Sequence, residues 1–340
     1  MNKNVTMKNI ADALGVSTVT VSKALSDKDG VGNQLRRTIK QKASEMGYSY
    51  GSTKAKSAQD SSKFNIGVIV ASNYVDPDSY AFYLKMYHHI VLALKKCNYS
   101  GIMEIVSDEM RDTMALPVVA AERKVDGIII LGQLPTAYVQ KVKDTGIPLV
   151  LLDFYDGELE ADSVVTDNVY GAYGLTEYCI NMGHEKIAFV GSIHATASIL
   201  DRYLGYYRAL LVHGIELRPD YVIEDRDENC LFRKEIRLPE DMPTAFVCNC
   251  DELAYLLMEQ LRKKGLRVPE DISVVGFDNY TFIDYFTYRK LTTVAVNVEA
   301  MASEAVSLLI AQIESGMPSN VRKVISGTLL IRDSVKNIKN

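Results

Sequence analysis

The stretch NIADALGVSTVTVSKALSD, residues 9–27, contains two short helical patterns separated by a glycine. The first pattern has apolar residues at the spacing of one helix face, namely Met7, Ile10, Ala11 and Leu14. Thr6 precedes this pattern as an N-cap residue, and Gly15 follows it where a glycine commonly ends a helix. Ser17 is placed to cap a second helix that runs to about Ser26. The stretch therefore predicts two consecutive helices joined by a tight turn.

A third helical pattern follows and ends at Gly47. Its apolar positions are Leu35, Ile39, Ala43 and Met46. Residues 5–48 therefore predict three short helices around a small core. The short, glycine-containing turn between the first two helices is typical of a helix-turn-helix.

The second predicted helix has a polar side suited to the major groove of DNA. That groove admits one α-helix, and the first residues of the inserted helix meet the base edges. We predict three base-reading residues, Thr18, Val19 and Lys23, with Val19 suited to a thymine methyl and Lys23 to a guanine. Phosphate contacts are predicted for the hydroxyls of Thr6, Ser17, Thr20 and Ser22. Taken singly, a stray surface valine and a solvated lysine explain Val19 and Lys23 equally well.

Charge is distributed unevenly along the chain, which has 340 residues and a net charge of −5. Residues 1–63 carry eleven basic and five acidic side chains, a balance of +6. The remaining 277 residues carry 27 basic and 38 acidic side chains, a balance of −11. A basic head on an acidic body indicates a polyanionic partner for the head alone, although a solvated basic face gives the same count.

The stretch VTMKNIADALGVSTVTVSKALSD, residues 5–27, resembles the DNA-binding head of the lac repressor and galactose repressor (LacI-type) family. The resemblance implies that Thr18, Val19 and Lys23 occupy the base-reading positions. Lys23 stands where the family more often has arginine. Because lysine lacks the bidentate fork of arginine, we expect softer discrimination for guanine.

The segment SYGSTKAKSAQDSSK, residues 49–63, has the composition of a flexible or weakly helical linker. The family normally has a proline, an asparagine and a minor-groove leucine here, whereas this chain has Tyr50, Gly51 and Ser57 at those positions. Without an apolar wedge, we predict weaker kinking of bound DNA. Lys54 and Lys56 are predicted to contact phosphates.

Beyond residue 64 the sequence alternates between strand-like and helical patterns. The strand-like runs are Asn65–Val70, Ile102–Val106, Asp126–Leu131, Pro148–Asp153, Ser163–Asp167, Lys186–Gly191, Tyr221–Glu224, Ala245–Asn249 and Ser273–Asp278. Such alternation predicts α/β architecture with two doubly wound parallel-sheet lobes, since the strands are too many for one comfortable sheet. A ligand is then expected between the lobes, at the carboxyl ends of the strands.

These patterns divide the chain into three parts. We predict a helix-turn-helix DNA-binding domain over residues 1–48, a linker over 49–63 and an effector-binding and dimerisation domain over 64–340. Within the last part, the first lobe is predicted at about 64–156 and 291–320, and the second at about 157–290 and 321–334.

Several functional classes lack support in the sequence. No apolar run is long enough to span a bilayer and no secretory signal is evident, so we expect a cytoplasmic protein. The five cysteines form no CxxC pair, and we predict buried thiols, with no metal and no cofactor. No phosphate loop, nucleophile elbow or HExxH motif is present, which favours a non-enzyme.

The resemblance extends over almost the whole body and implies a periplasmic-binding-protein-like core. It is carried by VVTDNVYGAY, NMGHEKIAFVG, DRYLGYYRAL, GLRVPEDISVVGFDN and LTTVAVN. The implied effector site comprises Phe82, Tyr83, Asp153, Thr166, Asp167, Ser198, Arg202, Cys250 and Asp278. Three alternatives stay open: Arg202 and Asp278 forming a structural ion pair, Asp167 capping a helix, and Phe82 belonging to the core.

The resemblance also implies a repressor function for a homodimer on a near-palindromic operator. Ligand binding would change the operator affinity, and the effector is expected to be a sugar or sugar derivative because carboxylate, guanidinium and aromatic groups suit polyhydroxy ligands. A solute-binding protein and a sugar-processing enzyme on the same α/β core are the alternatives. The former would leave residues 5–48 unexplained, and the latter would need an acid/base pair or phosphate loop.

Overall fold

The computed structural model describes residues 7–25, 31–46, 65–75, 81–227, 233–279 and 290–339. The chain divides into two compact units, Met1–Phe64 and Asn65–Asn340. The predicted linker, residues 49–63, lies outside the described residues. The unit boundary agrees with the separation between a small head and a large body that the sequence predicts.

Three helices form the head, as predicted: α1 (Met7–Leu14), α2 (Thr18–Leu25) and α3 (Asn33–Glu45). Their shared core contains Ile10, Ala11, Val21, Ala24, Leu25, Val31, Ile39 and Ala43. Leu35, which the pattern placed on the apolar face of α3, is exposed. A core this small depends on each of its few apolar contacts.

The turn between α1 and α2 has the geometry that its sequence predicts. Gly15 adopts a left-handed conformation with φ of 65°, and Val16 N donates to Ala11 O at 3.1 Å. This is the 6→1 hydrogen bond of a Schellman helix end. Ser17 then caps α2, since its Oγ accepts from Thr20 N at 3.1 Å. The angle between the two helices is therefore set by the local sequence.

The body contains a first sheet of six strands in the order β11-β5-β4-β3-β1-β2, and all its pairings are parallel. Its strands are β1 (Asn65–Ala71), β2 (Ser100–Val106), β3 (Gly127–Leu131), β4 (Leu149–Leu152), β5 (Asp162–Thr166) and β11 (Arg322–Ile325). Strands β3, β4 and β5 are buried along their whole length. Apolar runs without alternation are typical of strands covered on both faces.

The second sheet has the order β12-β10-β9-β8-β6-β7. Its strands are β6 (Ile187–Val190), β7 (Val222–Ile223), β8 (Ala245–Cys248), β9 (Ser273–Asp278), β10 (Thr292–Ala295) and β12 (Thr328–Leu330). Strand β12 pairs antiparallel with β10, so this sheet is mixed rather than purely parallel as predicted. A short return strand at the edge accommodates this direction because its other side needs no partner.

Helices of the body cover both sheets. They are α4 (Ala81–Lys96), α5 (Asp108–Asp112), α6 (Val118–Ala121), α7 (Thr136–Lys143), α8 (Asn168–Asn181), α9 (Ala197–Val212), α10 (Asp251–Lys263) and α11 (Val298–Ser315). Helix α11 packs on β3, β4 and β5, whereas α8 and α9 pack on each other and α8 also contacts the second sheet. None of the helices in the described ranges is long and apolar enough to cross a membrane.

The predicted lobe boundaries need correction. Strand β5 was assigned to the second lobe by the 157–290 boundary, but it pairs with β4 in the first sheet. Strand β10 was assigned to the first lobe by the 291–320 boundary, but it pairs with β9. Strand β11, placed in the second lobe by the 321–334 boundary, pairs with β5. The chain therefore crosses between lobes after β5, after β10 and after β11.

Candidate functional site

One side of α2 is buried in the head and the opposite side is exposed. Val21, Ala24 and Leu25 are buried against the head core. Thr18, Val19 and Lys23 are exposed, with 62% of Val19 accessible. Because positions 19 and 23 are one helical turn apart, the predicted base-reading residues lie on one continuous outer surface.

The hydroxyls predicted to contact phosphates lie at the start of α2. Ser17 Oγ and Thr20 Oγ1 are 2.8 Å apart, and the former already accepts from the backbone. Ser22 is half-buried. Thr6, Lys54 and Lys56 lie outside the described residues. Phosphate contact by these six residues stays a prediction.

Arg202 lies at the centre of the cleft between the lobes and is buried, with 6% exposed. It comes from the first half of α9. Its Nε donates to Asn168 Oδ1 at 2.8 Å and its Nη1 to Asn249 O at 2.5 Å. Its Nη2 lies 3.2 Å from Asp278 Oδ1, and its guanidinium lies 3.9 Å from the centre of the Phe277 ring. The ion pair that the sequence left open is therefore present.

Asp153 enters the cleft from the first lobe, one residue beyond β4. It is buried, with 7% exposed, and has a positive φ of 70°. Tyr83 donates its hydroxyl to Asp153 Oδ2 at 3.0 Å. Burial raises the pKa of Asp153 to about 6, against the opposing attraction of Arg202. Burial, together with the Asp153 carboxylate, also raises the pKa of Tyr83, so this phenol stays protonated.

Asp278 ends β9 and enters the cleft from the second lobe. Its φ of 106° is an uncommon conformation for a residue with a side chain, and such strain often accompanies function. Burial raises its pKa to about 7; Arg202 opposes this shift and the Asp153 carboxylate adds to it. The two aspartates are thus close enough to affect each other's ionisation.

Two carboxylate oxygens in the cleft have no hydrogen-bond donor among the described residues, Asp153 Oδ1 and Asp278 Oδ1. The second is within ion-pair distance of Arg202 but accepts no well-directed hydrogen bond from it. Buried acceptors without donors are costly, so they indicate a missing partner.

The other predicted effector residues lie around this centre. Phe82 is half-buried and meets the Tyr83 ring edge-on at 5.2 Å. Ser198, in the first turn of α9, is 3.0 Å from the Thr196 hydroxyl. Cys250 precedes α10 and is half-buried; burial, with a smaller effect of Asp278, raises the pKa of its thiol.

Two predicted effector residues, Thr166 and Asp167, form hydrogen bonds within the protein where the chain leaves β5. Thr166 is buried and its hydroxyl donates to Ile325 O at 3.2 Å. Asp167 accepts from Tyr170 N at 3.1 Å and caps α8. The helix-capping alternative for Asp167 is therefore correct, and the structure gives Thr166 a structural hydrogen bond rather than a free hydroxyl in the cleft.

Sequence reasoning missed the groups that hold Arg202 and those that join the lobes. Neither Asn168 nor Asn249 was predicted as a functional residue, although Asn168 follows the predicted strand end at Asp167 and Asn249 ends a predicted strand. Across the cleft, Tyr155 donates to Asp201 Oδ1 at 3.1 Å and Ala197 N donates to the side chain of Gln133 at 2.9 Å. Within the described part of the chain, no group of His, Cys, Asp and Glu residues could hold a metal ion.

The chain matches two protein-family models. The model of the bacterial regulatory proteins of the lacI family matches residues 6–49, and that of the periplasmic binding protein-like domain matches residues 176–335. The chain is also 30% identical over 322 residues to the HTH-type transcriptional repressor PurR of Vibrio atlanticus (strain LGP32). That alignment covers 91% of this chain and 92% of the relative.

Two solved structures show the same fold. A LacI family transcriptional regulator from Enterococcus faecium with bound ribose is 26% identical, with a TM-score of 0.65, covering 81% of this chain and 100% of that one. The lac repressor dimer bound to operator and the anti-inducer ONPF is 22% identical, with a TM-score of 0.65, covering 98% of this chain and 100% of that one. The predicted fold class, a helical head with two α/β lobes of periplasmic-binding-protein type, is confirmed.

Proposed function

The chain belongs to the lacI family of bacterial regulatory proteins, and on that basis we propose that it is a sequence-specific, DNA-binding transcriptional repressor. A small ligand bound between its two lobes controls the affinity for the operator. The observation that carries the proposal is the exposed outer side of α2, where Thr18, Val19 and Lys23 lie together above a buried core.

The chemistry of these three residues supports base reading. An exposed valine has no packing role in the head, whereas it gains apolar contact beside a thymine methyl. Lys23 donates to the acceptors on guanine from one turn further along α2. Ser17 fixes the start of α2, so the direction in which these side chains point is set before DNA binds.

The effector is proposed to be a sugar or sugar derivative. Tyr83, Asp153, Arg202 and Asp278 converge from both lobes, which is the arrangement expected for a ligand enclosed by lobe closure. Ser198, Cys250 and Phe82 are proposed as surrounding contacts, and Thr166 and Asp167 as part of the adjacent crossover. The Enterococcus faecium relative, which was solved with bound ribose, supports a sugar as the class of ligand.

We propose a homodimer that places two heads on half-sites about 34 Å apart. The lac repressor, which has this fold, is a dimer on its operator in the solved structure. Ligand controls DNA binding only through different affinities for two lobe arrangements. Cytoplasmic localisation follows from this role, and weaker kinking of the operator stays a prediction from the linker sequence.

Selection from random duplex oligonucleotides with the purified full-length protein tests this function. We expect one near-palindromic motif, and we expect the double variant Val19→Ala, Lys23→Ala to lose it. Lys96→Ala, which removes a positive charge from the body, is the control and should select the same motif. If the wild-type protein enriches no motif at moderate ionic strength, the proposed function is wrong.

The non-enzyme interpretation is supported by the PurR relative, which is a transcriptional repressor. Incubation of the protein with sugars and nucleoside triphosphates, followed by product analysis, checks it. We expect no turnover, and turnover abolished by Asp153→Asn or Asp278→Asn would favour the sugar-processing enzyme instead.

A further inference from the structure

The centre of the cleft has more negative than positive charge. Among the residues that the structure describes, Arg202 is the cation that acts on both Asp153 and Asp278. Glu252, near the start of α10, adds its charge to the field at Asp278. Two further cations lie nearby and each has a partner: Arg226 lies 3.5 Å from the buried Asp225, and Arg332 donates to Asn279 Oδ1 at 2.7 Å. The described charged groups around the two aspartates therefore leave the cleft acidic.

Arg202 has little capacity for an incoming anion. Asn168 and the backbone of Asn249 hold two of its nitrogens, Asp278 faces the third, and the Phe277 ring covers one face. A guanidinium has five N–H donors in a rigid plane, so these contacts fix its position as well as occupying its edges. A ligand carboxylate or phosphate would have to displace Asp278 to form the paired contact that arginine prefers.

The cleft instead offers acceptors. Asp153 Oδ1 has no hydrogen-bond donor among the described residues, and Asp278 Oδ1 has only the ion-pair contact with Arg202 Nη2 at 3.2 Å. The two oxygens come from opposite lobes. The neighbouring polar groups are already committed: Tyr83 donates to Asp153 Oδ2, and Thr293 donates to Asp251 Oδ1 at 2.6 Å. A hydroxyl or amino group from a ligand would satisfy each free oxygen without bringing further negative charge.

We propose that the effector carries no negative charge and presents at least two hydroxyl or amino donors, one for Asp153 and one for Asp278. This inference rests on the proposed function, because it describes the ligand of the same cleft. It separates uncharged sugars, amino sugars and uncharged nucleosides from sugar acids, sugar phosphates and nucleotides. A ligand that bridges the two free oxygens also draws the lobes together.

The ionisation of the two aspartates predicts whether ligand affinity rises or falls with pH. In the empty cleft burial raises the pKa of Asp153 to about 6 and that of Asp278 to about 7, so both carboxyl groups lose their protons as the pH rises from mildly acidic to mildly basic. A ligand that donates hydrogen bonds favours the carboxylates, so it releases protons and binds more tightly as the pH rises from about 5 to about 8. An anionic ligand has the opposite dependence because it favours the protonated carboxyls.

The test is a thermal-shift screen of the full-length protein at about pH 5 and about pH 8. The probes form series that share a parent compound and differ in charge: glucose, glucosamine, glucuronate and glucose 6-phosphate, the galactose series, ribose with its phosphate, and inosine with its monophosphate. Cellobiose is added as an uncharged disaccharide. We expect stabilisation from uncharged or amino-bearing members only, with the larger shift in Tm at the higher pH. An anionic probe that stabilises through the cleft overturns the proposal, as does a lack of shift from every uncharged and amino-bearing probe.

Variants locate the binding. We expect Asp278→Asn to abolish at least nine-tenths of the shift in Tm. Asp153→Asn is a second variant, in case the first fails to fold, and should have the same effect. Asp241→Asn removes an exposed carboxylate outside the cleft and should retain the full shift. A shift that survives both cleft variants overturns the cleft as the effector site. Stabilisation by an anionic probe that both variants abolish overturns only the proposal that the effector carries no negative charge. The operator selection described above tests DNA binding separately.

Discussion

Val19 and Val21, which are about half a turn apart on α2, point to opposite sides of the helix. Val19 is 62% exposed and Val21 is fully buried, although the two residues are chemically identical and two positions apart. Val19 is not part of the core that the described residues of the head form, so its place on the outer surface supports contact with DNA. The burial of Val21 makes it one of the few apolar contacts in the core of the head.

Serine at each of these positions should therefore have opposite consequences. Val19→Ser should leave the head folded and weaken binding to the selected operator by roughly 1–3 kcal/mol at the base pair it reads. Val21→Ser should destabilise the head by about 2–4 kcal/mol because it removes buried methyl groups and buries a hydroxyl. Amide hydrogen exchange over α1–α3 and operator titrations measure the two effects. Equal loss of exchange protection in both variants would contradict this assignment.

Asp278 makes the stability of the ligand-free protein depend on pH. Its pKa is raised to about 7, against an ordinary value of 3.8. The folded state therefore binds more protons than the unfolded state between about pH 4 and about pH 7, and stability falls as the pH rises through this window. Asp278→Asn should remove this part of the fall in Tm.

Melting curves of wild-type protein and variant between about pH 4 and about pH 8 measure the difference. We expect the difference in Tm between the variant and wild type to be about 2–4 °C more positive at about pH 8 than at about pH 4. Asp241 is the control, because its ion pairs with Lys186 and Arg218 lower its pKa to about 2. Asp241→Asn should leave the fall in Tm above about pH 4 unchanged, and an unaltered pH profile in Asp278→Asn would refute the assignment.

The sequence predicted the ionisable residues of the cleft but not the groups that hold them. Asp153 and Asp278 end predicted strands, and such strand ends meet at one edge of a parallel sheet. Asn168 and Asn249 position Arg202 from segments far away in the chain. No local pattern reports contacts of that kind, because they depend on how the helices pack.

Helices α8 and α9 pack closely at a glycine. A Cβ built on Gly205 would lie 2.2 Å from Val169 O and 2.9 Å from Tyr173 N. The backbone of α8 therefore occupies the space that a side chain would need. Because Arg202 is one turn away on α9, this close approach also helps to place its guanidinium beside Asn168 at the start of α8.

Alanine at two helical glycines tests this packing. Gly205→Ala should force α8 and α9 apart and destabilise the body by roughly 1–3 kcal/mol. Gly174→Ala on α8 is the matched control, since its Cβ would meet nothing within 4 Å and alanine favours the helix by up to about 1 kcal/mol. Chemical denaturation of the body measures both. Equal effects of the two substitutions would show that the close contact does not decide stability.

The order of most secondary structure elements was predictable, whereas the distribution of the strands between the sheets was not. The strand-like pattern of β5 was predicted from the sequence, but β10 and β11 lie outside the predicted strand-like runs. Only hydrogen-bond pairing shows that β5 and β11 lie side by side in the first sheet and that β10 joins the second. Adjacent strands in a doubly wound sheet are distant in sequence, so local periodicity carries no information about them.

Across the whole molecule, the head and linker are basic and the body is acidic. The first 63 residues carry +6 and the rest carries −11. An acidic body repels DNA, so only the head and linker are expected to bind it. Neutralisation of phosphates releases counterions, and binding must then weaken steeply with salt.

Salt titrations of operator binding measure the phosphate contacts. With two linker lysines per chain, Lys54 and Lys56, we expect the affinity of a dimer to fall on the order of 10²-fold between about 50 and about 200 mM salt. Removing both linker lysines, Lys54→Ala and Lys56→Ala, should reduce the log–log slope by about 3 to 4 for the dimer. The control Lys95→Ala, Lys96→Ala in the body should not change it. A linker variant with the wild-type slope would exclude these two phosphate contacts.

The sequence by itself determined the three helices of the head, the outward face of α2, the alternation of strands and helices, and the aspartates at strand ends. Each of these follows from short-range periodicity and capping, which act within a few residues. The tertiary structure decided which sheet holds β5, β10 and β11, how Arg202 is held, and that an oxygen of Asp153 and an oxygen of Asp278 accept no well-directed hydrogen bond from the described residues. Those features depend on contacts between segments that only folding brings together, and they set the charge of the ligand that the cleft accepts.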